Sequence, residues 1–359
     1  MKKNFYLMTA LCAIMLSACS ADTDPAPTTE KDRTAILEIN LVGTTTRATG
    51  TLPGDTGAEN QLNTVAVGVF NSDNSTNTIA EFKTEDVEDK TAAVNCLPAT
   101  GCTVIAVANA PSGTFAGVAN KAAFIAKTVA LSQTNSADVQ TNTNLPMSAQ
   151  QTGVDLTVAG PNTATLALSR LVSRISIADI KTAFDPSGQY KDATFTATGI
   201  FLYDAKSTST VDPATPVTTN LISGETAGNE YLMNTLSDVL IPAGGHATPY
   251  WFYTFANDAT NPTKLVIKGN FDADGSSGST YSPEPVYYPV VINKSQTGTV
   301  ITGGSGDATI ARNRAYKIGV TIKGKGVSSP SENIVPAVLT VTVSVLDWAL
   351  VINQSVVFD

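Results

Sequence analysis

Histidine is nearly absent from this chain: His246 is the only one among 359 residues. A Ser-His-Asp triad would have to use it, yet it stands in Ala-Gly-Gly-His-Ala-Thr-Pro, a turn-like loop with no nucleophile motif beside it. Cysteine is scarce as well, at four residues, so the usual zinc sites have too few ligands to draw on. Asp272-Ala273-Asp274-Gly275 resembles the start of a calcium loop, but the EF-hand pattern then needs Gly at Ser277 and Glu at Pro283. It reads as a hairpin turn. No pair of carboxylates is set apart for glycoside cleavage. Trp251, with Tyr250, Phe252 and Tyr253, alternates within a strand and reads as core rather than as a sugar platform. Positive charge is also short. The 22 Lys and Arg against 31 Asp and Glu leave a net charge of −9, whereas a nucleic-acid partner calls for a basic stripe. These absences disfavour a secreted hydrolase and point to no metal or cofactor.

What is present begins with a targeting segment. Lys2 and Lys3 precede an apolar run, Phe5–Leu16, and Leu16-Ser17-Ala18-Cys19 has the form of a lipobox. In that chemistry Cys19 is alkylated by a diacylglycerol, the chain is cut before it, and the new amine is acylated. The run is too short to span a bilayer, but acyl chains on Cys19 would anchor the precursor at about 0.8 kcal/mol per buried CH₂. The expected precursor is therefore an exported bacterial lipoprotein. Residues 20–34 are polar, contain proline and lack periodicity, as a tether does.

The remainder reads mostly as strands. Ala35–Val42 alternates, with Leu37, Ile39 and Leu41 on one side and Glu38 and Asn40 on the other. A small-residue linker, Gly43–Gly50, follows, with Arg47 in its middle. Such a linker admits a protease, although an arginine there is otherwise a solvated charge. Further strands are expected at Asn63–Asn71, Thr91–Asn95, Thr103–Asn109, Val154–Val158 and Ala164–Leu168. Phe115–Leu131 carries apolar residues at three- and four-residue spacing and predicts one amphipathic helix. Leu168–Ile180 opens a new alternating run. Strands follow at Ala193–Leu202, Pro249–Phe255, Lys264–Phe271, Val286–Ile292 and Ala315–Lys323, at sandwich-like spacing. Apart from Cys12 and Cys19, the cysteines are Cys96 and Cys102, flanking Pro-Ala-Thr-Gly. They face each other across a hairpin as a disulfide, or stand as buried free thiols.

The last stretch, Ala337–Asp359, alternates with apolar residues at odd positions up to Val345. From Leu346 the parity switches: Leu346, Trp348, Leu350 and Ile352 are apolar, and Val356, Val357 and Phe358 follow. A bulge or a change of sheet is expected near Val345–Leu346. The end of the chain is either a pair of closing strands or a strand lent to another molecule.

Taken together, the lipobox Cys19, the Thr-Thr-Arg47-Ala48 linker after one strand and the closing apolar strands resemble the FimA-type fimbrillins, the type V pilins of Bacteroidales. Internal stretches carry the same resemblance: Val107-Ala108-Asn109, Leu145-Pro146-Met147-Ser148, Tyr287–Asn293, Arg312–Ile318 and Asp347-Trp348-Ala349-Leu350-Val351. The resemblance implies a mostly β protein with two tandem transthyretin-like β-sandwich domains and one helix in the first. It implies a signal peptide (1–18), a propeptide (19–47), domains at 48–168 and 169–345, and a donor tail (346–359). It also implies cleavage by an arginine-specific protease between Arg47 and Ala48. The first strand then departs with Ile36, Leu37, Ile39 and Leu41. Leu346, Trp348, Leu350, Ile352, Val356 and Phe358 of another copy, or of a homologous subunit, fill its groove head to tail. On that basis the protein is a stalk subunit of an adhesive surface fimbria, first held at the outer membrane by its lipid. The competing expectation is a monomeric surface lipoprotein that binds glycan or host protein.

Overall fold

The computed structural model of the chain describes residues 34–43, 58–83, 92–131, 135–136, 139–140, 143–246, 250–276, 282–335 and 337–348. The earlier part contains β1 (Ala35–Gly43), β2 (Thr64–Phe70), β3 (Thr76–Lys83), β4 (Ala92–Cys96), β5 (Ala99–Ala108), α1 (Lys121–Ile125), β6 (Thr128–Ala130), β7 (Asn135–Ser136), β8 (Val139–Gln140), β9 (Met147–Leu156) and β10 (Asn162–Arg170). The later part contains β11 (Val172–Thr182), β12 (Thr194–Tyr203), β13 (Ala205–Thr210), β14 (Thr218–Ile222), β15 (Met233–Leu240), β16 (Trp251–Phe255), β17 (Lys264–Asp272), β18 (Glu284–Val291), β19 (Thr299–Thr302), β20 (Arg314–Ile322) and β21 (Leu339–Asp347). The protein is thus mostly β, as the period-two patterns predict.

A seven-stranded sheet has the order β3-β2-β5-β9-β10-β1-β4. Its two edges approach one another, because Asn77 of β3 both donates to and accepts from the backbone of Leu97, just beyond β4, at 2.9 Å each way. The later strands form a five-stranded sheet, β16-β11-β20-β21-β19, and a four-stranded sheet, β15-β12-β17-β18. A small sheet, β14-β13-β6, joins a strand of the earlier part to the segment after β12. The inward residues of these sheets make one continuous apolar core.

The helix is much shorter than its spacing predicts. Gly117 takes a positive φ of 69°, which breaks the first half of the run. Helix α1 starts only at Lys121, where the Asn120 side chain accepts from the Ala123 N–H at 2.8 Å. Val129 then lies in β6, a strand. The apolar spacing is still used: Phe124 stacks on Phe115 at 4.1 Å and meets Phe70 edge-on at 5.3 Å. Gly68 makes room for those rings, since a Cβ there would stand 2.7 Å from Phe70 and 2.9 Å from Phe124.

Two further expectations are corrected. Pro-Ala-Thr-Gly does not close a hairpin: β4 pairs with β1, whereas β5 pairs with β2 and β9, so the turn crosses between distant strands of the sheet. Cys96 and Cys102 are free thiols, both buried. Nor is there a bulge at Val345–Leu346. The β20–β21 ladder runs unbroken from Leu339–Ile322 to Asp347–Arg314, and the change of phase is taken up beyond the strand, at Trp348.

Burial pushes the Cys96 thiol up to about 12, and raises Cys102 as well. A buried thiol that holds its proton is a poor nucleophile. In a chain starting at Ser20, alkylating reagent should add nothing to the native protein and two labels after unfolding, read by intact mass. No label after unfolding without reductant, and two labels once reductant is added, would instead reveal a bridge.

Candidate assembly site: the β1 slot and the root of the tail

β1 is not an edge strand. It lies parallel to β10, from Leu37–Asn162 to Gly43–Leu168, and antiparallel to β4, from Ala35–Cys96 to Ile39–Ala92. Its alternation sends Ala35, Leu37 and Ile39 fully inward and leaves Leu41 half-buried. Ile36, grouped with them among the apolar residues of the departing strand, is 56% exposed because it shares the outer face with Glu38 and Asn40. Asn162 adds a side-chain tie: its amide donates to the Ile36 carbonyl at 3.0 Å and to the Thr157 carbonyl at 2.9 Å. Cys19, Arg47 and Ala48 lie outside the described residues.

At the other end of the chain, Leu346 pairs with Ala315 and is half-buried, and Trp348 is buried. Both therefore sit within the chain's own fold. Leu350, Ile352, Val356 and Phe358 lie outside the described residues.

Trp348 is held by a buried polar cluster. Glu59, on a 3₁₀ turn at Ala58–Asn60, is 1% exposed, and Arg170 and Arg174 are fully buried. Glu59 Oε1 accepts from Arg174 Nη1 at 2.8 Å and from the Tyr253 hydroxyl at 2.5 Å. Its Oε2 accepts from the Trp348 indole N–H at 3.2 Å. Arg170 donates to the Glu59 carbonyl at 3.3 Å, to the Asn60 side chain at 2.5 Å and to the Trp348 carbonyl at 3.1 Å. Its guanidinium lies 4.1 Å from the Trp348 ring centre, and Tyr253 stacks parallel to that indole at 5.8 Å. Burial, with the Glu59 charge beside it, keeps the Tyr253 hydroxyl protonated well above its ordinary range, so it acts as a donor. Arg174 Nε and Nη2 have no hydrogen-bond partner among the described residues, and the group lies under the Trp251 ring at 5.3 Å.

Local sequence builds this cluster. Arg170 ends β10 and Arg174 lies in β11, so the two arginines straddle the passage from the seven-stranded to the five-stranded sheet. The sequence reading missed them and Glu59. The signal was there, in Leu168-Ser-Arg170-Leu-Val-Ser-Arg174-Ile: arginines inside an apolar strand require a buried carboxylate.

The other residues singled out from the sequence are engaged locally. His246 makes a backbone bridge to Ile180, and its Nε2 is buried without a partner among the described residues. Asp272 caps its own turn, accepting from the Asp274 and Gly275 N–H groups at 3.3 and 3.2 Å. Among the described residues, no group of three or more His, Cys, Asp or Glu is placed to hold a metal.

Residues 35–179 match the family model described as the major fimbrial subunit protein FimA, and residues 257–348 match that of the FimA4 pilin C-terminal domain. The sheets around β1 and the sheet that carries Trp348 are therefore those of a fimbrial subunit. The chain is 26% identical to the major fimbrium subunit FimA type-2 of Porphyromonas gingivalis, over 98% of each protein. It is 36% identical to the type-4 subunit of the same species over 105 residues, 28% of this chain and 24% of that one. In fold it is similar to the fimbrilin FimA of Porphyromonas gingivalis W83, with a TM-score of 0.66 at 20% identity over 89% of this chain and 99% of that one. A protein from Bacteroides eggerthii, described as a cell adhesion protein, has the same TM-score of 0.66 at 23% identity, over 88% and 97% of the two chains. The chain belongs to the FimA-type fimbrillins of Bacteroidales, a family of structural subunits rather than enzymes.

Removing one partner from a buried ion pair strands the other charge. Glu59→Ala should therefore lower the unfolding free energy by about 3–5 kcal/mol in urea titration. Lys325→Ala, at the exposed Lys325–Glu284 pair, should change it by about 1 kcal/mol or less.

Proposed function

We propose that this fimbrial subunit is a stalk component, built by exchange of strands between copies. It is exported as a lipoprotein acylated on Cys19 and held at the outer membrane until an arginine-specific protease cuts between Arg47 and Ala48. The cut releases β1, and a C-terminal segment of another copy, or of a homologous subunit, takes its place. The resulting fimbria serves adhesion at the cell surface. Residues 48–168 and 169–345 serve as the two structural domains of the mature subunit.

One observation supports this reading above the rest: β1 is bracketed by β10 and β4, and Arg47 follows it after only a few residues. Loss of an edge strand would leave the sheet nearly unchanged. Loss of this one opens a slot with two free ladders and an apolar floor. Cleavage at Lys31 or Arg33 would leave β1 in place. Each apolar side chain that enters the slot contributes roughly 1.5–3 kcal/mol, and each ladder hydrogen bond about 0.5–1.5 kcal/mol. Part of that sum is spent on ordering the incoming strand. The contact is head-to-tail and does not close on itself, which is how open filaments arise.

Arg47→Ala is the test. The variant should accumulate as a lipidated precursor with β1 in place and give no filaments by electron microscopy. Wild-type surface protein should begin at Ala48 on N-terminal sequencing. Normal filaments from the Arg47→Ala variant would overturn the proposal.

A further inference from the structure

The lent segment resembles a second use of the chain's last strand, so where it parts from its own fold matters. The parity switch at Leu346 would let Leu346 and Trp348 leave together with the tail. The geometry opposes this. Leu346 and Asp347 are the last rungs of the β20–β21 ladder, and Arg314 pairs with Asp347 by charge as well. The Trp348 N–H donates to the Asn313 carbonyl at 3.3 Å. Its carbonyl accepts from Arg170, its indole N–H donates to Glu59, and its ring is stacked parallel to Tyr253 and lies 4.1 Å from the Arg170 guanidinium. Withdrawing Trp348 would strip Glu59 and Arg170, both buried, of a shared partner in a site closed to solvent, where unpaired polar groups are costly.

We propose that the Glu59 cluster is a latch on the root of the tail. In the polymer each copy keeps its chain through Trp348 and lends only residues 349–359 to the β1 slot of a second copy. The inference rests on the strand-exchange reading above and specifies it. The latch also joins that root to Glu59, twelve positions after Arg47. The first described turn and the residue before the tail are thus fastened to one another.

A disulfide across the last rung tests this. Arg314 and Asp347 are cross-strand partners, so Arg314→Cys with Asp347→Cys can tie the end of β21 to β20 within one chain. The bridge is verified by mass, with native Cys96 and Cys102 left in place. After limited trypsin treatment the bridged protein should form as many filaments as wild type, with or without reductant. Filaments that appear only after reduction would show that residues before 348 must leave, and would overturn the latch while sparing strand exchange. Filaments from a chain ending at Trp348 would instead overturn strand exchange by the tail, and the latch with it. A second measurement does not depend on the bridge. Glu59→Gln, which keeps the side chain's size, should melt about 5–10 °C lower than wild type as a monomer. Leu350→Ala should melt within about 1 °C of wild type yet assemble poorly. A Glu59→Gln monomer that melts like wild type would also overturn the latch.

Discussion

One buried carboxylate ties this molecule together. Glu59 lies where the chain enters its first described turn, and it binds groups from β11, β16 and the residue that follows β21. Two arginines surround it in a site closed to solvent. Apolar residues of similar volume could fill such a space with comparable stability. What they could not do is fix direction. A carboxylate with two oxygens, a forked guanidinium and an indole N–H accept one arrangement, so the junction between the seven-stranded and five-stranded sheets has one geometry.

That junction sets the context for β1. Most strands added or removed in evolution or processing lie at sheet edges, where few hydrogen bonds are lost. β1 is instead an interior strand formed by one of the earliest segments of the chain, parallel to one neighbour and antiparallel to the other. The rest of its sheet is drawn from residues after position 63. On the proposed strand exchange, the seven-stranded sheet would have two ways of being completed, by its own first strand or by one of like pattern from outside, while the Glu59 cluster keeps the far end of the chain in register with it.

Much of this was legible in the residues, and what was not has definite causes. The alternation of Ala35–Val42 located β1 to within a residue, since a half-buried strand writes its burial into its sequence. It could not tell an inner strand from an outer one, because pairing partners are distant in sequence. The run from Phe115 to Leu131 has helical spacing, yet Gly117 with its positive φ and an Asn120 cap leave only Lys121–Ile125 helical. The spacing was real and the packing of Phe124 uses it. The parity switch at Leu346 suggests a bulge or a change of sheet, whereas it marks the place where Trp348 turns out of the ladder to reach Glu59. Of the cluster itself, Arg170 and Arg174 were visible as charges in an apolar run. Their partner could not be named, since Glu59 is 111 positions from one and 115 from the other.

The amide of Asn162 has a consequence for timing. With β1 present, it is satisfied by the carbonyls of Ile36 and Thr157, and both flanking ladders are closed. Were β1 cut away, that amide would lose a partner at the same moment as β4 and β10 lost theirs, beside a newly wetted floor of leucine and valine. Such a surface is sticky without discrimination. Its lifetime would then govern the outcome: a slot refilled at once yields an ordered fibre, and one left open collects whatever extended chain is nearest. Trimming and refilling would have to be neighbours in time as well as in space.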